Sequence, residues 1–145
     1  MASQYRLGSN TRLLECPQGS EYDEEAFRYF LSIEKARAER ARKPIRVLLA
    51  SFEPAPDQPA AFPRGLAAQV FDGLRLTLRD TDVVGWHEQD RVAAAVMHMD
   101  VGPATDLTAF ERRIESGLRR RLPNHLARNL RLRVVQPEAV QLTVV

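Results

Sequence analysis

Cysteine is nearly absent from this chain. Cys16 is the single one in 145 residues, so there is neither an intramolecular disulfide nor a cysteine metal cluster, and no neighbouring group activates it as a nucleophile. Long apolar runs are missing too: nowhere do eighteen apolar residues follow one another, and the opening MASQYRLGSNTRLLE has no apolar core behind a basic start. Neither membrane insertion nor secretion is expected, and the expected compartment is the cytoplasm. Lysine is scarce, with arginine supplying 19 of the 21 basic residues, and guanidinium suits planar, bidentate recognition better than ammonium does. Charge of one sign is also lacking. A net charge of +2 is too mild to announce a polyanion partner, although residues 106 to 145 hold eight arginines against four acids while Glu15 to Glu25 is acid-rich.

At 44% hydrophobic and 28% charged, the chain reads as one ordinary globular domain with a single core, without internal repeats. Residues 1–22 are polar and interrupted by Gly8, Pro17 and Gly19, and read as an irregular arm; residues 23–145 form the domain. Asp23 is placed to cap a helix carrying Phe27, Phe30, Leu31, Glu34 and Ala38 at helical spacing, with Arg37, Arg40, Arg42 and Lys43 towards its end and Pro44 as its stop. Ile45 to Phe52 is a nearly continuous apolar run of strand length, which predicts a strand buried on both faces near the middle of a sheet. Pro54, Pro56, Pro59 and Pro63 then make a loop. Leu66, Val70, Phe71, Leu74 and Leu78 mark a second helix.

The segment that organises the reading follows: LRDTDVVGWHEQDRVAAAVMHM, residues 78–99. It predicts a β-hairpin with one strand from Asp82-Val83-Val84, a turn at Glu88-Gln89-Asp90 and a second strand over Val92 to Met97. Beyond Gly102-Pro103, Thr105 or Asp106 is placed to cap a third helix with Leu107, Phe110, Ile114, Leu118 and Leu122 on one side, ended by Pro123. Leu130, Leu132 and Val134 alternate with Arg131 and Arg133 as in a strand with one wet face. After the first helix the order is βαββαβ, which folds as a ferredoxin-like α+β sheet with helices on one face. The tail Val140 to Val145 is β-prone and reads as a further edge strand.

Taken together, FRYFLSIEKARAERARKPI, the strand RVLLASFE, the helix running into LRDTDVV, the hairpin and ERRIESGLRRRL resemble a degenerate GGDEF domain, the diguanylate cyclase family, over about residues 24–136. In that family the first strand ends in a magnesium-binding Asp, and the hairpin turn reads Gly-Gly-Asp-Glu-Phe. Here Ser51 stands at the first position, with Glu53 two residues on, and the turn is Glu88-Gln89-Asp90-Arg91-Val92. Magnesium triphosphate needs clustered carboxylate oxygens and close phosphate approach, and the guanine-recognising segment of the family is replaced by PAPDQPAAFP. The resemblance therefore implies that cyclase activity is lost, with no catalytic residue, no metal site and no cofactor.

It also implies a retained regulatory site. Many family members bind cyclic di-GMP at an Arg-x-x-Asp motif five residues before the turn, and Arg79-Asp80-Thr81-Asp82 is followed by Val83 to His87 and then Glu88. An arginine fork can donate to guanine O6 and N7, and a carboxylate can accept from the other guanine edge. Arg113, just before Ile114, matches an arginine the family adds from the next helix, with Arg112 as its alternative. The plainer account of Arg79 and Asp82 is a helix-end arginine and a strand-entry cap.

The expected function is thus a cyclic di-GMP receptor that signals to a protein partner or a second copy. The alternative is a scaffold of the same fold for protein interaction or dimerisation without a ligand. An RNA-binding module ranks last, because Val92 to Met97 lacks stacking aromatics and the arginines at 112, 113 and 119–121 read as a solvated helix face. His87, His98 and His125 show no metal-ligand spacing, and Trp86 is expected half-buried in the sheet.

Overall fold

The computed structural model describes residues 21–54, 62–63, 65–78, 82–99 and 106–144. Helix α1 (Glu24–Ala41) starts where the sequence places it: the Asp23 carboxylate accepts from the Ala26 N–H at 2.8 Å, and Glu24 and Glu25 sit in the positively polarised first turn. It closes with Arg42 in the left-handed region, φ 55°, while the Lys43 N–H reaches back to the Ala38 carbonyl at 3.0 Å.

Strand β1 (Ile45–Phe52) is followed by α2 (Ala67–Thr77), β2 (Val83–Glu88), β3 (Val92–His98), α3 (Thr108–Arg119), the one-turn α4 (Asn124–Ala127), β4 (Leu130–Val135) and α5 (Pro137–Val144). The four strands form one sheet in the order β2-β3-β1-β4, every pair antiparallel, with Val47 opposite Val96 on one side and Val135 on the other. Ile45 to Phe52 is therefore an inner strand between the hairpin and Leu130 to Val135, as its apolar run predicts.

The expectation of helices on one face is corrected. Leu48, Ala50 and Phe52 enter one apolar cluster with Val70, Phe71, Leu74, Ile114 and Leu118 of α2 and α3. Ile45 and Val47, pointing the other way, enter a second cluster with Phe27 and Leu31 of α1 and Val140 of α5. A strand apolar on both sides requires cover on both. Ala93, Ala94 and Ala95 are fully buried, and such small side chains in β3 let elements approach closely from either face.

Three further readings change. The tail is a helix, not an edge strand: Pro137 occupies the first helical position, Glu138 the first turn, and Val140 is 1% exposed, so docking overrides the β preference of valine. Trp86 is fully buried, edge-on to Phe62 and Phe71 with ring centroids 4.9 and 5.1 Å away. His125, which the stretch after Pro123 predicts to lie in a loop, is in α4.

Of the proposed arm, only Glu21 and Tyr22 are among the described residues. Tyr22 makes a parallel bridge to Gly85, donating to the Val84 carbonyl at 3.1 Å and accepting from the Trp86 N–H at 2.9 Å. The bridge needs glycine at position 85. A Cβ there would stand 2.6 Å from the Tyr22 carbonyl oxygen.

Candidate functional site

The end of β1 and the hairpin turn come together. Leaving β1, the Glu53 N–H donates to the Asn129 carbonyl at 2.7 Å, which brings the start of β4 alongside. The turn closes through the Arg91 N–H to the Glu88 carbonyl at 3.0 Å, with Asp90 at φ 63°, a conformation that aspartate tolerates better than most residues. Ser51, Phe52, Glu53, Glu88, Arg91 and Arg131 line a cleft of about 390 Å³.

Its charges are paired internally. Register sets Ser51 opposite Arg131, whose guanidinium forms an ion pair with Glu53, and Arg91 lies 4.0 Å from Glu88. A cation drawn to either carboxylate would compete with a guanidinium already beside it. Among the described residues, no group of three His, Cys, Asp or Glu side chains is arranged to hold a metal ion.

The turn is also committed to helix α1. Gln89 Oε1 accepts from the Glu24 N–H at 3.0 Å, and the Gln89 N–H donates to Glu24 Oε1 at 2.7 Å, so turn and helix start satisfy each other reciprocally. Arg28 joins them, 3.1 Å from the Glu24 carboxylate and donating through Nε to the His87 carbonyl at 3.2 Å. The register shift between Trp86 and Glu88 accommodates His87, which is 2% exposed. Burial, and then the nearby Arg28 charge, holds its imidazole below the usual histidine pKa.

Of the Arg-x-x-Asp motif only Asp82 is described, and it precedes β2 at the end opposite the turn. Arg79, Asp80 and Thr81 are outside the described residues, as is Cys16. The Asp82 side chain is 4% exposed, with Oδ1 3.8 Å from His98 Nδ1. The other ring nitrogen, Nε2, lies 2.8 Å from Glu34 Oε1 of α1. Glu34, read from sequence as one position of the helix stripe, is thus a tie between α1 and the last residue of β3. On α3, the exposed Arg113 has its guanidinium 5.5 Å from the centre of the Phe110 ring, and the exposed Arg112 sits in the turn that follows Asp106. Asp106 itself accepts from the Thr108 N–H and hydroxyl at 2.9 and 2.5 Å, bonds that lower its carboxyl pKa.

Sequence reading missed the Tyr22 bridge, the Glu24–Gln89 exchange and the Glu34–His98 tie. Gly85 in the middle of a strand was the one available signal, since a glycine there often marks close backbone approach. No protein-family model matches the chain, and no curated protein matches it.

Proposed function

We propose that this chain is a catalytically silent GGDEF-like regulatory module of ferredoxin-like plan, acting by binding rather than by chemistry. One observation carries the silence: two guanidinium groups, Arg131 and Arg91, stand beside the two carboxylates of the cleft, Glu53 and Glu88, so the cleft holds no net negative charge to draw a divalent cation. Nucleotidyl transfer from a magnesium triphosphate needs those oxygens for the metal. The turn adds to this, because the Gln89 backbone and side chain are occupied by Glu24 and leave no open glycine backbone for a phosphate.

The ligand of this module is cyclic di-GMP, held by Arg79 and Asp82 with Arg113 or Arg112 from α3, and the support is the preserved spacing to the turn. A second reading has its own observation. With the Asp82 side chain 4% exposed and close to His98, that corner is built as a structural joint, which favours an interaction or dimerisation scaffold. Incubation with GTP and magnesium or manganese is expected to yield no cyclic di-GMP; turnover that survives purification controls refutes the silence. Calorimetric titration with cyclic di-GMP separates the two readings. The receptor shows saturable binding that Arg79→Ala weakens by about 1–3 kcal/mol, whereas heat-silent titration at high micromolar ligand establishes the scaffold.

A further inference from the structure

Two guanidinium groups converge at the start of β4. Arg119 Nη2 and Arg131 Nη1 both donate to the Leu130 carbonyl oxygen, at 3.4 and 3.2 Å. Arg131 faces the cleft already described, while Arg119 lines a separate, open groove of about 590 Å³ together with Asn124, His125, Ala127 and Arg128. Arg131 also donates to the Arg128 carbonyl at 3.3 Å, so the three arginines form one contiguous surface around α4.

The acids on this surface do not match its cations. Glu115 pairs with Arg119 at 3.2 Å and Glu53 with Arg131, but among the described residues Arg128 has no ion-pair partner. The Arg131–Glu53 pair is shallow, each side chain 53% exposed, so an incoming anion can replace Glu53 at little cost, while Arg119 is 42% and its partner Glu115 29% exposed. A main-chain oxygen, besides the acids, orients the Arg119 and Arg131 forks. Asn124 and His125 add polar side chains to the groove.

We infer that this groove is a docking site for the phosphate backbone of a nucleic acid. Charge complementarity selects a polyanion, and guanidinium forks match phosphate geometry. The groove is wide open, unlike the enclosed apolar pockets that take small molecules. His125 is the single aromatic ring of its lining, too few to stack successive bases, so the phosphates carry the contact and it is independent of sequence. The missing stacking aromatics that argue against an RNA-binding sheet do not bear on a site of this kind.

The test is fluorescence anisotropy of labelled mixed-sequence oligonucleotides, in single-stranded and duplex arms, with the full chain. Three phosphate contacts predict an affinity that falls roughly 40-fold for the duplex and roughly 20-fold for the single strand between about 50 and about 200 mM salt. Arg128→Ala removes a guanidinium that has no partner among the described residues, and should weaken binding several-fold and lower the salt slope by about one. Arg119→Ala/Arg128→Ala should weaken it further, while Arg40→Ala, at the far end of β1 on α1, should leave it unchanged. Should the double variant fail to fold, Arg128→Ala alone decides. The proposal is overturned if neither arm binds at about 50 mM salt, if Arg40→Ala weakens binding as much as Arg128→Ala, or if polyglutamate binds more tightly than either oligonucleotide, which would make an acidic protein the occupant. Preference between the two arms assigns the strandedness of the partner.

Discussion

Strand β2 joins two polar regions built from similar groups in opposite surroundings. At its start, Asp82, His98 and Glu34 meet with the two acid side chains only 4% and 13% exposed. At its end, Glu88, Arg91, Glu53 and Arg131 are 40% to 55% exposed. Water screens the second set, so each of its pairs contributes about 0–1 kcal/mol and its members are exchangeable. In the first set the two carboxylates have lost most of their water while the His98 ring between them stays 38% exposed, and removing His98 leaves those carboxylates without compensation. The buried end therefore ties α1 to the sheet, and at the exposed end a charged group can be replaced without disturbing that tie.

Substitutions should separate these roles, beginning with the strand that connects them. Gly85→Val drives a side chain into the Tyr22 carbonyl, and because a backbone oxygen cannot rotate away, a loss of about 3 kcal/mol is expected in chemical denaturation. A stability equal to wild type would mean that the Tyr22 segment is not seated on β2. At the buried end, Asp82→Ala should cost about 1–3 kcal/mol by the same measurement. If it costs nothing, the contrast between the two ends fails, and Asp82 is available for a ligand.

Acidification probes the junction of β2 with the turn. The folded chain holds His87 below its ordinary pKa of 6.5, so the unfolded chain binds the proton first as pH drops. The stability contributed by neutral His87 is complete above about pH 6.5 and is lost as pH falls through the depressed folded value. Denaturation midpoints against pH should show this decline in wild type and a shallower one in His87→Gln. The smallest effect is expected at the exposed end: Glu53→Ala and Arg131→Ala should each stay within about 1 kcal/mol of wild type. A larger loss there would promote the Glu53–Arg131 pair from a surface contact to a structural one.

What could be read from sequence follows from the range of the interactions. Helix α1 was legible because its signals are local: Asp23 three residues before the N–H it caps, acids in the first turn, Pro44 just past the end. The inner position of β1 was legible from one uninterrupted apolar run. That same run implied cover on both faces, and assigning helices to one face conflicted with it. Helix α5 was misread because valines outweighed Pro137 and Glu138, the two residues that mark a helix start. Pairing of Glu53 with Arg131 required the register that sets Ser51 against Arg131, and 78 residues separate the partners. At the Arg-x-x-Asp corner the motif was visible but the burial of Asp82 was not, since it depends on His98 arriving from β3.

The second apolar cluster carries a consequence for how the protein is made. Phe27 and Leu31 contribute from early in the chain, and Val140 from near residue 145, so sequence-distant segments complete one face of the sheet. On a ribosome, α1 and β1 emerge long before α5, and until residue 140 has cleared the exit tunnel Ile45, Val47, Ala94 and Val96 lack part of their cover. Contacts of such long range form late and slowly. For that interval the nascent chain presents a sticky β surface, the kind that holdase chaperones shield and that promotes aggregation when synthesis stalls.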